Sequence, residues 1–97
     1  MIRDSINSAI DYLYNSAQTE IALELIYDAL MENLIEKDSV SDMLNEIAIE
    51  DNDHAVVTTA LDIMNDFEIE KSTELKHKHI TNDFKYRMEE VLRFIRV

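Results

Sequence analysis

With 97 residues and no cysteine, glycine or proline, the chain is expected to form one domain, 1-97, without disulfides, glycine-rich phosphate loops or tight β-hairpins. Apolar residues make up 46% of the sequence, which is enough for a packed core, and no stretch approaches the ~20 apolar residues of a membrane span. We therefore expect a soluble, cytoplasmic protein.

Charge is distributed unevenly along the chain. Residues 1 to 70 contain 17 acidic residues against Arg3 and Lys37, a net charge of −15, whereas residues 71 to 97 have a net charge of +3. Binding to DNA depends chiefly on cations that displace counterions from phosphates, so direct nucleic-acid binding is not expected. The acidic region should instead bind a basic partner, or the basic C-terminal segment of its own chain.

Apolar residues at three- and four-residue spacing predict two helices in the first third of the chain. The first helix should end near Asn15 and Ser16. Thr19 is placed to cap the second helix, which is expected to run to about Glu36. Its core side should be formed by Ala22, Leu23, Ile26, Ala29, Leu30 and Leu34.

A third and a fourth helix are predicted in the middle of the chain. Ser39 and Asp42 have the spacing of a capping box at the start of the third helix. Residues 50 to 53 are a polar turn, and Asp53 should cap the fourth helix, which ends near Phe67.

The last helical region is predicted to begin at Ser72 or Thr73 and is the basic part of the chain. It contains either one helix or two helices separated near residues 77 to 79. Its apolar stripe comprises Ile80, Phe84, Met88, Val91, Leu92 and Ile95. Four or five helices with short connections predict an all-α fold, a small helical bundle.

Acidic residues recur every four positions on these helices and form ladders. Like charges at this spacing destabilise a helix by roughly 0.2 to 0.5 kcal/mol per pair. A solvated helix face is the usual explanation of such a pattern, but an ordinary exposed face also contains Lys or Arg. Here Lys37 is the only basic residue between Arg3 and Lys71, which favours a phosphate-mimicking surface that binds a basic partner. The candidate residues are Glu20, Glu24, Asp28, Glu32, Glu36, Asp38, Asp42, Glu46, Glu50, Asp62 and Asp66.

Charge density limits this hypothesis. Residues four apart lie ~6 Å apart along a helix, whereas duplex DNA carries one charge per ~1.7 Å of its axis. One ladder is therefore roughly threefold too sparse to imitate DNA. Two or three ladders side by side, or one face repeated in a dimer, would approach the required density.

The sequence offers few groups for catalysis or metal binding. His77 and His79 do not share a helix face, and His54 is isolated beside a turn. Residues 51 to 53 resemble a calcium loop only faintly, since Ala55 occupies the third ligand position and no glycine makes the turn. With no catalytic motif present, we expect a binding protein rather than an enzyme, with no metal and no cofactor.

Residues 27 to 64 resemble a known family. The stretch of residues 27 to 34 (YDALMENL), followed by 44 to 46 (LNE), 51 to 52 (DN), Val56 and 62 to 63 (DI), is similar to the Ocr-type phage anti-restriction proteins. These proteins are acidic helical DNA mimics. Members of the family commonly end in an acidic tail, whereas this chain ends in a basic segment.

The resemblance implies a homodimer whose combined face imitates bent duplex DNA and occupies the DNA site of a restriction enzyme or other defence nuclease. It would act in the host-cell cytoplasm if a phage encodes it. The leading hypothesis is therefore a DNA-mimicking inhibitor. The alternative is a small acidic immunity protein, antitoxin or transcription modulator that binds one dedicated basic partner through a local acidic and apolar patch.

Overall fold

The computed structural model describes residues 2–95, except for the side chains of residues 79–86 and 94. Within residues 2–95 it contains five α-helices and no strand, which confirms the predicted all-α bundle. The helices are α1 (Ile2–Asn15), α2 (Thr19–Met31), α3 (Asp38–Glu50), α4 (His54–Asp66) and α5 (Thr73–Ile95). None of the described helices is both long and apolar enough to cross a lipid bilayer.

The helices pack as two hairpins and one further helix. α1 lies against α2 and α3 against α4, each pair joined by a short turn, while α2 also contacts α4 and α5 contacts α3. The core lies between these helices and is built from aliphatic side chains that are almost fully excluded from water, among them Ile10, Leu23, Ile26, Leu44, Ile47, Ala60, Met64 and Leu75.

Three helices end without the glycine that such ends usually contain. Ala17, Asn33 and Glu68 follow α1, α2 and α4, and each has a positive φ of 56 to 61°. In each case the next residue's amide donates to the carbonyl five positions earlier, at 2.8 to 2.9 Å. This is the Schellman arrangement, in which glycine is preferred because any Cβ is crowded in the left-handed conformation. These three non-glycine residues therefore hold a strained backbone conformation at the helix ends.

Three predictions about α2 are wrong. The helix ends at Met31 rather than near Glu36, because Asn33 takes the left-handed conformation and reverses the chain, which buries Ile35 in the core. Glu32 and Glu36 consequently lie outside the helix. Thr19 does not cap α2 but is its first residue, preceded by Gln18, whose side chain makes no capping bond. The expected core residue Leu34 is 40% exposed.

The start of α3 also differs from the prediction, whereas the start of α4 agrees with it. α3 begins at Asp38 without a side-chain cap, so the predicted capping box of Ser39 and Asp42 does not form. The Ser39 hydroxyl instead donates backwards to the Glu36 carbonyl at 2.7 Å. Asp53 caps α4 as predicted, accepting a 2.9 Å hydrogen bond from the Ala55 amide.

α5 is one continuous helix, and its first turns are attached to α3. The helix begins at Thr73, one of the two predicted starts, and the Ser72 hydroxyl caps it by accepting a hydrogen bond from the Leu75 amide at 3.2 Å. The buried Asn45 of α3 accepts from the Ser72 amide at 2.7 Å and donates to the Glu70 carbonyl at 3.2 Å. Asn45 therefore holds residues 70 to 72, which lead into α5, against the bundle.

A second attachment lies one turn further along α5. The Lys78 ammonium donates to the carbonyls of Ile49 at 2.7 Å and Ala48 at 3.4 Å, which are orphan acceptors at the C-terminal end of α3. The predicted stripe residues Ile80 and Phe84 lie outside the described side chains. The rest of that stripe, from Met88 to Ile95, is exposed to solvent.

Candidate functional site

An acidic groove of about 450 Å³ lies between α2 and α4. Its lining residues are Leu23, Glu24, Tyr27, Asp28, Thr59, Asp62, Ile63 and Asp66. Glu20, near the start of α2, lies beside Ala55 at the start of α4, and Tyr27 contacts Phe67 at the opposite end. The two helices therefore run in the same direction, and both C-termini lie at one end of the groove.

The groove brings two of the predicted ladders together. Leu23 and Ile26 of α2 point into the core, and Ile63 of α4 does the same, so residues on the flanks of these apolar stripes border the groove. Glu24 and Asp28 form one wall, and Asp62 and Asp66 form the other.

Tyr27 is the aromatic residue of the groove. Its ring packs edge-on against Phe67, with centroids 5.7 Å apart and planes at 71°, and it is still 38% exposed. Such a partly exposed, well-supported ring can contact an apolar surface or a cation. Tyr27 and Thr59 were not among the predicted site residues. The available signal was the position of Tyr27 three residues after Glu24, which puts both on one helix face.

The carboxylates of the groove are not neutralised by the described part of the chain. The ion pairs among described side chains are Arg3 with Glu36 at 2.9 Å and Lys76 with Glu70 at 3.9 Å, and all four groups are exposed. Neither pair involves a residue of the groove. The negative charges of the four groove carboxylates therefore add to one another.

The helix dipoles make the same end of the groove more negative. Asp28 lies in the last turn of α2 and Asp66 is the last residue of α4, and neither helix has a basic residue in its last turn. The C-terminus of a helix carries about half a negative charge, so each acid sits where it opposes the dipole. Because α2 and α4 are parallel, their negative C-terminal ends, each with an acidic residue, lie at the same end of the groove.

The remaining predicted site residues are exposed but do not line this groove. Glu20 lies at its N-terminal end, beside Ala55 and Val56, whereas Glu32 and Glu36 belong to the connection after α2. The third ladder lies on α3 and comprises Asp38, Asp42, Glu46 and Glu50.

The α3 ladder is coupled to α1 through Tyr14. Burial raises the pKa of the Tyr14 hydroxyl, and the nearby Glu46 carboxylate raises it further, with smaller effects from Glu50 and Asp51. The charge of Glu46 thus acts on a side chain of α1.

Two ladders approach the charge density of DNA but do not reach it. With rungs ~6 Å apart, the two walls together present one charge per ~3 Å, against ~1.7 Å for duplex DNA. With Glu20 at the N-terminal end of the groove included, the α2 ladder spans ~12 Å from Glu20 to Asp28, the length of three to four base pairs. The groove can therefore imitate only a short segment of phosphate backbone.

In the described residues, no three acidic or histidine side chains converge as metal ligands. Comparison of the chain with protein-family models, curated proteins and solved structures gives no match. The groove itself is therefore the basis of the functional proposal.

Proposed function

We propose that the protein is a DNA-mimicking inhibitor that presents the acidic groove to the DNA-binding cleft of a basic protein. The observation that supports this proposal is the pairing of two carboxylate rows, Glu24 and Asp28 opposite Asp62 and Asp66, around one groove. A protein cleft that binds two phosphate rows would find negative charge on both sides of this groove.

The cost of these charges to the fold also supports the proposal. Two pairs of like charges at four-residue spacing and two acids at helix C-termini all lower the stability of the bundle. If these positions needed only a polar side chain, a neutral residue such as Asn or Gln would avoid this loss of stability. In a complex with a cationic partner, the same acidic residues would be attracted to its positive charges and would favour binding.

The partner is proposed to be a basic DNA-binding protein. A net charge of −12 would accelerate its encounter with a positive cleft, and the effect would fall with ionic strength. The resemblance to anti-restriction proteins makes a restriction enzyme or another defence nuclease the first class to test. The groove spans only a few base pairs, so it would occupy part of such a cleft.

A second candidate function is a dedicated partner protein of the immunity or antitoxin type. The observation that favours it is Tyr27, a supported and partly exposed ring that lines the acidic groove. Aromatic residues at the centre of an interface often carry much of the binding energy, with charges around them. Such an interface would depend on Tyr27 more than on the number of carboxylates.

The test begins with capture of binding proteins from a bacterial extract on the immobilised chain, followed by elution with duplex DNA or with salt. For a captured protein, binding is then measured against the variant Glu24→Gln/Asp28→Asn/Asp62→Asn/Asp66→Asn. If each carboxylate contributes about 0.5 to 1 kcal/mol, loss of all four weakens binding at least about thirtyfold. Labelled duplex DNA should compete with the chain for the same protein.

Two controls separate the candidate functions. The variant Asp38→Asn/Asp42→Asn removes charge from α3, outside the groove, and should retain most of the affinity. Tyr27→Ala should have a small effect on a DNA mimic but cause a loss of about a hundredfold in a dedicated interface. Binding that survives neutralisation of the groove and is unaffected by duplex DNA would refute DNA mimicry.

A further inference from the structure

The second half of α5 stands apart from the bundle. Its first turns are held by Leu75, which is fully buried, and by Lys78, whereas each described side chain from Arg87 to Ile95 is exposed. The molecule is accordingly elongated, with extents of 63 × 25 × 19 Å. The 23 residues of α5 extend over ~34 Å, so much of this length belongs to the helix.

An apolar stripe lies on this free part of α5. It consists of Met88, Val91, Leu92 and Ile95, which are 42%, 50%, 46% and 70% exposed. Their spacing of three, four and seven residues puts them on one face of the helix, as in the seam of a two-stranded coiled coil. A contiguous apolar stripe of this kind on a projecting element marks a surface that another element covers.

The charge distribution identifies a second copy of this chain as the covering partner. Residues 1 to 70 have a net charge of −15, so two copies repel each other over most of their bundle surfaces. Residues 87 to 95 contain Arg87 and Arg93 against Glu89 and Glu90 and are therefore neutral. A strongly acidic or basic partner finds no complementary charge there, whereas a second neutral, apolar stripe matches it.

Repulsion also selects the direction of pairing. Parallel α5 helices would hold the two acidic bundles side by side, but antiparallel helices hold them at opposite ends of the pair. The free part of α5 is longer than the ~8 Å screening length at physiological ionic strength, so antiparallel pairing removes most of the repulsion. In the most compact register, Met88 lies opposite Ile95 of the second copy and Val91 lies opposite its Leu92.

We propose that the chain forms a homodimer through antiparallel pairing of the Met88–Ile95 stripes of α5. The two acidic grooves then lie at opposite ends and act as separate sites rather than as one longer surface. This dimer does not depend on the proposed inhibitor function. Because the seam is short, the interface falls at the small end of protein interfaces, and its dissociation constant should be on the order of 10 to 100 μM.

Sedimentation equilibrium on the full chain over a concentration series tests the dimer. Leu92→Glu should weaken association at least about tenfold, because each dimer contains the charge twice in an apolar seam. Met31→Glu introduces the same charge at another exposed apolar position, 58% exposed on α2, and should leave association unchanged. Circular dichroism checks that both variants keep their helices. Because antiparallel pairing leaves little repulsion between the bundles, higher salt should not weaken the dimer, whereas it should weaken the inhibitor's complex.

Single cysteines determine the direction of pairing, since the sequence contains none of its own. Under mild oxidation, a mixture of Met88→Cys and Ile95→Cys chains should form mixed disulfides faster than either chain forms disulfides alone. Faster cross-linking of Met88→Cys with itself would overturn the antiparallel arrangement. A monomer at all concentrations up to about 500 μM, or a dimer that Met31→Glu disrupts and Leu92→Glu does not, would overturn the proposed interface.

Discussion

Neutralising one wall of the acidic groove should stabilise the protein. Asp62→Asn/Asp66→Asn removes one pair of like charges four residues apart, a gain of about 0.2 to 0.5 kcal/mol. It also removes an acid from the last residue of α4, which adds about 0.3 to 1 kcal/mol. Repulsion from the opposite wall, across a helix spacing of ~10 Å, contributes about 0.4 kcal/mol for each pair in dilute salt. The free energy of unfolding should therefore rise by about 1 to 2 kcal/mol.

A second double variant provides the control for this prediction. Asp38→Asn/Asp42→Asn changes the same residue types at the same spacing, but Asp38 is the first residue of α3, where a negative charge favours the helix. Its two effects oppose each other, so stability should stay the same or fall slightly.

Thermal unfolding at low ionic strength measures the difference between the two variants. In a domain of this size, 1 to 2 kcal/mol corresponds to an increase in Tm of at least about 4 °C for Asp62→Asn/Asp66→Asn. The increase should shrink at 1 M salt, where the screening length is ~3 Å. A lower Tm for this variant than for the unmodified chain would refute the reasoning, because the two acids would then be stabilising the fold.

Three further predictions concern parts of the fold outside the groove. Ala17→Gly should raise the free energy of unfolding, measured by denaturant titration, by about 1 kcal/mol, because Ala17 has a φ of 61° that glycine adopts more easily. Asn33→Gly should change the free energy of unfolding less, since asparagine tolerates this conformation. Asn45→Ala should lower it by about 2 kcal/mol, because the partly buried backbone groups that Asn45 pairs would lose their partners. The raised pKa of Tyr14 means that its protonated form stabilises the fold below pH ~10 and that this contribution is lost at higher pH. The free energy of unfolding should therefore fall less above pH ~10 for Tyr14→Phe than for the unmodified chain.

Local sequence signals predicted the helices better than their ends. Asp53 could be recognised as a cap because an acidic side chain follows a polar turn and precedes an apolar stripe. The end of α2 was missed because Leu34 and Ile35 continue the apolar pattern, while the reversal depends on Asn33 adopting a left-handed conformation. The role of the buried Asn45 has no local signal, since the bonds that join it to the segment before α5 are made to residues 25 and 27 positions away, and its one local bond, to the Ser41 carbonyl, lies within α3.

The acidic groove was only partly predictable for a related reason. The spacing of Glu24, Asp28, Asp62 and Asp66 shows which residues share a face of one helix, but not which helices become neighbours. That pairing is set by the core, which brings α2 against α4 and leaves the α3 ladder elsewhere. The sequence gives all the ladders the same charge pattern, whereas in the fold Glu46 of the α3 ladder lies close enough to Tyr14 to raise its pKa.

The most direct test of the proposed function is competition between the chain and labelled duplex DNA for a DNA-binding protein captured on it, measured by fluorescence anisotropy. We expect the chain to displace the duplex completely, and the variant with all four groove carboxylates neutralised to require at least about thirtyfold higher concentration. A ternary complex of DNA, protein and chain, or equal displacement by the variant, would contradict the proposal that the acidic groove occupies a DNA-binding cleft.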